Sequence, residues 1–238
     1  MKIALIGYGK MGKAIEEIAL TKGHEIVLKI NSSNLADFTK EHLKKADVAI
    51  EFSRPELAFE NIKTCLEANI SVVCGTTSWW EKLDDIKEIT TENKGAFLYA
   101  SNFSIGVNIF FEINKKLAQL MKEHLEYDVK MEEIHHTQKL DAPSGTAISL
   151  ANDILAEVSR KEKWVNNKTN NLSELEIISK REDPAPGTHS ILYKSEIDEI
   201  EIKHTAHSRM GFAIGAVLAA EFLSTKSGIY TMKDVLNI

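Results

Sequence analysis

"MKIALIGYGKMGKAIEEIALTKG", residues 1–23, decides the fold. The apolar run Ile3–Ile6 reads as a strand, and it enters a G-x-G-x-x-G loop made by Gly7, Gly9 and Gly12 with a helical pattern directly behind. In that setting the glycines permit a tight turn, close approach of backbone to a pyrophosphate, and tight helix–strand packing. The N–H groups and positive end of the following helix then receive the phosphates. A glycine-rich turn without a ligand is the plainer reading, and the position of the loop at the head of an alternating chain argues against it.

That alternation runs through the first hundred residues. Apolar runs "EIVLKI", "ADVAIEF", "SVVCG" and "AFLYAS" are separated by the amphipathic segments "PELAFENIKTCLEAN" and "WWEKLDDIKEITTEN". Strands rich in Val, Ile and Leu with helices between them predict a doubly wound parallel sheet, covered on both faces. Gly23 stands where a left-handed helix stop is wanted, and Pro55 where a first-turn proline is tolerated. The stretch from Ser32 to Lys45 is short and polar, so the second crossover is reduced.

The cofactor-selecting position is open. The fingerprint continues with an acid about 20 residues on, which grips the adenosine ribose. Here the second strand ends in "LKINSSN", with Asn31 in that place. No carboxylate repels a 2′-phosphate and no arginine claims it, so NADPH and NADH both fit. Two further loops, "CGTTSWW" and "ASNFSIG", lie at strand carboxyl ends, where open α/β sheets bind ligands. Gly75, Thr76, Thr77 and Asn102 are small or hydrogen-bonding groups suited to a nicotinamide and its ribose.

After about residue 104 the rhythm changes. A long helix pattern (Ile105 to His124), a strand (Tyr127 to Ile134) and a second helix (about Thr146 to Ser159) precede a polar stretch, Lys163 to Glu174, expected as an exposed loop. The runs "LEIISKRE", "HSILYKSE" and "DEIEIKHTAH" follow without intervening helices, which predicts a second, α+β domain with an open mixed sheet. A final helix (Gly211 to Leu223) and the tail "GIYTMKDVLNI" read as apolar and helical, able to return to the first domain.

Composition excludes several classes. The 29 basic residues are outnumbered by 35 acids, a formal charge of −6 with no dense basic face, so nucleic acid is not an expected partner. Cys65 and Cys74 match neither CxxC nor a zinc spacing and read as reduced, buried thiols, which points to the cytoplasm. The N-terminus enters a strand instead of a signal sequence, and no run of about 18 apolar residues occurs. An exported or membrane-spanning protein is therefore not expected.

The chemistry concentrates in "EEIHHTQKLDAPSGTA", residues 132–147. If the strand continues through His135 and His136 their side chains face opposite sides, while Lys139 lies in the loop and can fold back toward either. A lysine and a histidine brought together lower one another's proton affinity, which favours proton donation near neutral pH. A hydride delivered to carbon must be matched by such a proton. Ser144 or Thr146 can cap the helix that follows, with the Gly145 and Thr146 N–H groups pointing outward to form, with Lys139, a site for a carboxylate. A capped helix with two exposed histidines is the alternative. A metal site is weaker because adjacent histidines lack a nearby third ligand, so none is expected, and Ser144 lacks the elbow of a serine nucleophile.

E-x-H-H-x-x-K-x-D-A-P-S-G-T-A, residues 133–147, resembles the signature of the 4-hydroxy-tetrahydrodipicolinate reductase (dihydrodipicolinate reductase) family of lysine and diaminopimelate biosynthesis. "GYGKMG", "EFSRPE", "CGTTS", "SNFSIGVN" and "HSRMGFAIGAV" extend the resemblance over nearly the whole chain. It implies a nucleotide domain of residues 1–104 plus 211–238, with 105–210 binding substrate and forming a homotetramer through its sheet. It implies His135 as catalytic histidine and Lys139 as proton donor, with His136, Ser144, Gly145 and Thr146 holding a cyclic dicarboxylate. Nucleotide contacts are implied at Gly7, Tyr8, Gly9, Lys10, Met11 and Gly12, at Gly75 to Thr77, and at Ala100, Ser101, Asn102 and Phe103. Asn31 replaces the family's usual cofactor-selecting residue, and Gln138 stands where some members carry another base. Other small-molecule dehydrogenases share the glycine loop without reason to keep the histidine–lysine cluster, and a nucleotide sensor would bind without turnover.

Overall fold

Strand and helix alternate as far as Tyr99 in the computed structural model, which describes residues 1–238. The elements are β1 (Lys2–Ile6), α1 (Lys10–Thr21), β2 (Glu25–Ile30), α2 (Lys40–Leu43), β3 (Val48–Glu51), α3 (Pro55–Glu67), β4 (Ser71–Cys74), α4 (Leu83–Glu92) and β5 (Ala96–Tyr99). Next come α5 (Ile105–Met121), β6 (Asp128–His135), α6 (Gly145–Glu157), β7 (Lys163–Val165), β8 (Glu174–Arg181), β9 (Gly187–Lys194) and β10 (Glu199–Ala206). The chain closes with α7 (Met210–Leu223), β11 (Gly228–Tyr230) and α8 (Met232–Leu236). Two units result, Met1–Ile105 with Met210–Ile238, and Gly106–Arg209.

The first unit is built on a six-stranded, all-parallel sheet in the order β2-β1-β3-β4-β5-β11. Successive residues of β1 serve opposite faces. Ile3 and Leu5 join Ile15 and Ala19 of α1 and Ala216 and Val217 of α7, whereas Ala4 and Ile6 join Ala58, Ile62 and Leu66 of α3. Covering both faces explains why its inner strands are near-continuous apolar runs. The reduced second crossover holds only a 3₁₀ turn and the one-turn α2, which leaves β2 at the sheet edge. The winding direction reverses between β1 and β3, a switch point whose carboxyl ends open as a crevice for ligands. Gly23, at φ +80°, makes the left-handed stop after α1, and Pro55 opens α3.

The tail departs from the sequence expectation. Gly228–Tyr230 is not helical; it pairs parallel with β5 as the sixth strand, and only Met232–Leu236 forms a helix, opened by a Thr231–Asp234 capping box. Backbone pairing with an unpartnered strand edge overrides the helical pattern of three residues.

The second unit carries the mixed sheet, ordered β10-β9-β6-β8-β7, with β6 antiparallel to β9 and parallel to β8. On one face Val129, Met131, Leu175, Ile177, Ile191 and Tyr193 pack against Phe110, Ala118 and Met121 of α5 and Leu150, Ala151 and Ile154 of α6. Lys163–Val165, at the start of the expected loop, is instead an edge strand parallel to β8. Along β6 the core face runs Val129, Met131, Glu133, His135, so the apolar layer turns polar at the strand's end.

Candidate active site

The nucleotide-binding features lie in the first unit. Gly7, at φ +95°, sits so close to β3 that a Cβ would stand 2.0 Å from the Phe52 carbonyl oxygen, and one on Gly12 would stand 2.5 Å from that of Gly7. Both positions therefore require glycine. A Cβ on Gly9 would meet no atom within 4 Å, which leaves the outer side of the loop open to a ligand. Helix α1 has no side-chain cap and no acid in its first turn, so its leading N–H groups keep their positive character. These are the features a pyrophosphate needs, and the loop fits a dinucleotide.

Around the loop, Tyr8 donates a hydrogen bond to Glu16, Lys29 pairs with Glu16 at 2.7 Å, and the Lys29 amine lies 5.1 Å from the Tyr8 ring centre. Lys10 is exposed and Met11 half-buried against the core. Asn31 folds into its own turn, its Oδ1 accepting from Ser33 N at 2.8 Å and Ser33 Oγ at 2.6 Å. After β4, Thr76 is buried and its hydroxyl accepts from Ser53 N at 2.8 Å, with Gly75 half-buried and Thr77 exposed beside it. After β5, Ala100, Ser101 and Asn102 reach the surface, Asn102 Oδ1 accepting from Ser104 N, whereas the Phe103 ring is in the core 5.5 Å from that of Phe52. Only the Phe103 backbone remains for a ligand.

One supporting residue escaped the sequence reading. Glu51, fully buried at the end of β3, accepts from Ser53 Oγ and from Asn61 Nδ2, and lies 3.3 Å from Cys74 Sγ. It ties together the ends of β3 and β4. Burial first, and then the Glu51 charge, push the Cys74 thiol well up, so this cysteine is an inert packing group.

In the second unit the register of three strands assembles the polar cluster. His135 ends β6 opposite Arg181 of β8, and Glu133 lies opposite His189 of β9. Glu133 is fully buried; its Oε1 is 3.1 Å from Arg181 Nη2, its Oε2 is 3.2 Å from His135 Nδ1, and both oxygens are 3.2 Å from the Ser144 amide. Burial pushes the Glu133 carboxyl up, but the polar groups around it, His135, Ser144, Ser179 and Arg181, outweigh it and hold the group well below the usual carboxylate range. The His135 and His189 rings meet edge to face at 5.1 Å, and burial, followed by the His135 neighbour, lowers the His189 pKa to about 4.

Arg181 also bonds the Lys139 and Asp141 carbonyls, at 3.3 and 2.6 Å, and so shapes the loop that carries Lys139. The Lys139 amine, partly exposed, lies 2.8 Å from Asp141 Oδ1. His136 directly follows β6, and its Nδ1 is buried without a hydrogen-bond partner. Ser144, not Thr146, caps α6: its hydroxyl accepts from Ala147 N at 3.2 Å and approaches His189 Nε2 at 3.0 Å. Both polar groups of Ser144 are therefore engaged inside the fold. The amides of Gly145 and Thr146 open the helix, and no acid lies in its first turn.

Glu133 and His189 do supply His135 with the additional ligands that adjacent histidines alone lack, the three donor atoms all lying within 4.8 Å of one another. Arg181 against the same carboxylate opposes a cation there. Glu133 opens the motif and shares a face of β6 with His135, whereas Arg181 and His189 carry no motif and only strand register brings them there.

A parallel sheet with a glycine cradle at its switch point, joined to a second unit with a mixed sheet and a polar cluster of histidine, glutamate and arginine, is a dinucleotide-binding oxidoreductase architecture. Comparison with known proteins gives the family. The model described as dihydrodipicolinate reductase, N-terminus, matches residues 1–103, and that of the C-terminus matches residues 106–236. A 4-hydroxy-tetrahydrodipicolinate reductase of Christiangramia forsetii is 52% identical, over 100% of this chain and 98% of its own. One from Thermosipho africanus is 37% identical over 99% and 98%. The solved structure of a dipicolinate-bound dihydrodipicolinate reductase from Paenisporosarcina sp. TG-14 superposes with a TM-score of 0.78 at 25% identity, covering 98% of each chain. The chain belongs to the dihydrodipicolinate reductase family, and it is an NAD(P)H-dependent oxidoreductase.

Proposed function

We propose that the protein reduces 4-hydroxy-tetrahydrodipicolinate to tetrahydrodipicolinate, a step of lysine and diaminopimelate biosynthesis, with NADPH or NADH. The observation that carries this reading is the α6 start, where the Gly145 and Thr146 amides stand in one loop system with Lys139 and His135. Bound to the first unit, residues 1–104 with 211–238, the reduced nicotinamide supplies a hydride. The chain's own groups do the rest. The amides of Gly145 and Thr146, with Lys139 and His136, hold a substrate carboxylate. Lys139 or His135 delivers the proton that balances the hydride as the ring hydroxyl leaves as water.

Residues 105–210 form the substrate unit and, through its sheet, a homotetramer. In support, the sheet face away from α5 and α6 carries Ile134, Ile178 and Leu192, only half-buried within the unit. The acidic balance favours neither nucleic acid nor an anionic membrane as partner, no helix is long and apolar enough to cross a membrane, and the buried free thiols of Cys65 and Cys74 suit the cytoplasm.

The test is steady-state reduction by Lys139→Ala and His135→Ala. At least one is expected to lose roughly 100-fold in kcat, with nucleotide affinity kept. Unchanged kcat in both removes the site.

A further inference from the structure

Glu133 is fully buried, and it is the hub of the second unit's polar cluster. It stands two residues before His135 on the same face of β6, and the Arg181 guanidinium and the Ser144 amide keep it charged and immobile. Its Oε2, 3.2 Å from His135 Nδ1, is off the line of a good hydrogen bond, and Nδ1 has no other partner. Such contacts commonly tighten once a substrate is bound. On the opposite side of the ring, a Cβ at Gly187 would stand 3.1 Å from His135 Nε2, so glycine there keeps that nitrogen uncovered.

We propose that Glu133 is a positioning residue: it takes the Nδ1–H of His135, so that Nε2 is the nitrogen presented for reaction. Through the Ser144 amide the same carboxylate anchors the cap of the helix that holds the substrate carboxylate. One buried group thereby fixes the distance between the proton-handling imidazole and the anion-binding amides. A carboxylate that orients an imidazole sets which tautomer exists, and the wrong tautomer costs rate while leaving binding nearly intact. Arg181 keeps the carboxylate from turning, because it holds Oε1 and leaves Oε2 to the ring. The inference rests on the reading of His135 as part of the reductase site.

Nitrogen-15 imidazole spectra of the free enzyme, taken above the imidazole range at about pH 8.5, test it. The His135 signal among the eight histidines is assigned by its absence in His135→Gln. We expect the wild-type proton on Nδ1. In Glu133→Gln we expect it to move largely to Nε2, with kcat reduced roughly 100-fold and the substrate KM changed by less than about threefold. A wild-type proton on Nε2 overturns the proposal whether or not the variant folds. So does a Glu133→Gln enzyme that keeps the wild-type tautomer and turns over within about threefold of wild type. Wild-type enzyme that fails to reduce the substrate would remove the functional reading instead, and the spectrum would still decide the tautomer.

Discussion

His189 and Glu133 are one pair of buried groups with one pH signature. The folded His189 has its pKa lowered to about 4 from an ordinary 6.5, chiefly by burial, so between those values the unfolded chain takes up a proton that the folded protein refuses. Stability is therefore complete above about pH 6.5 and falls by about 3 kcal/mol as pH drops to about 4. Glu133, held low, adds stability that persists above its unfolded value and is lost only below it. Thermal melts between pH 7 and 4 should show Tm falling steadily, and His189→Gln should flatten that slope; an unchanged slope would place the loss elsewhere. At this scale the sequence disclosed the residues with motif spacing: His135, Lys139 and the glycines of the first loop. It did not disclose Glu51, Arg181 or His189, because nothing in one dimension says that Arg181 will lie opposite His135, or His189 opposite Glu133. Glu133 was visible in the motif, but its role depends on the same register.

In the proposed function two elements carry specificity. Helix α6 presents the Gly145 amide as its first helical N–H, and Ser144 before it has φ −65° and ψ 155°, the backbone that precedes a proline comfortably. Gly145→Pro should thus leave the helix and the melting temperature nearly unchanged while deleting one donor. The substrate KM should rise about 10-fold, the worth of one charge-assisted hydrogen bond; an unchanged KM would mean that the amide holds nothing. At the end of β2, Asn31 supplies no charge. Asn31→Asp should lower kcat/KM for NADPH by about 10-fold or more and leave NADH within about threefold, because a carboxylate repels the 2′-phosphate and accepts from the ribose hydroxyls. The long alternating elements were legible from hydrophobic period. The three-residue strands β7 and β11 were not, since each exists only as an addition to a neighbour's edge.

On the scale of the whole molecule, the parallel first sheet and mixed second sheet followed from where helices do and do not separate strands. Assembly is a different question, because the apolar side chains of Ile134, Ile178 and Leu192 are only half-buried within their own unit. Light scattering at micromolar concentration should give a tetramer, and charged substitutions at Ile178 and Leu192 should give smaller species; a wild-type monomer would contradict the proposed assembly. The central claim is chemical, that this chain passes a hydride to a cyclic dicarboxylate. Oxidation of NADPH and of NADH should be followed with 4-hydroxy-tetrahydrodipicolinate generated in the cuvette by its aldolase. The account predicts substrate-dependent oxidation with at least one nucleotide, abolished when the aldolase is omitted. No substrate-dependent oxidation with either nucleotide, by folded protein that binds them, would contradict it.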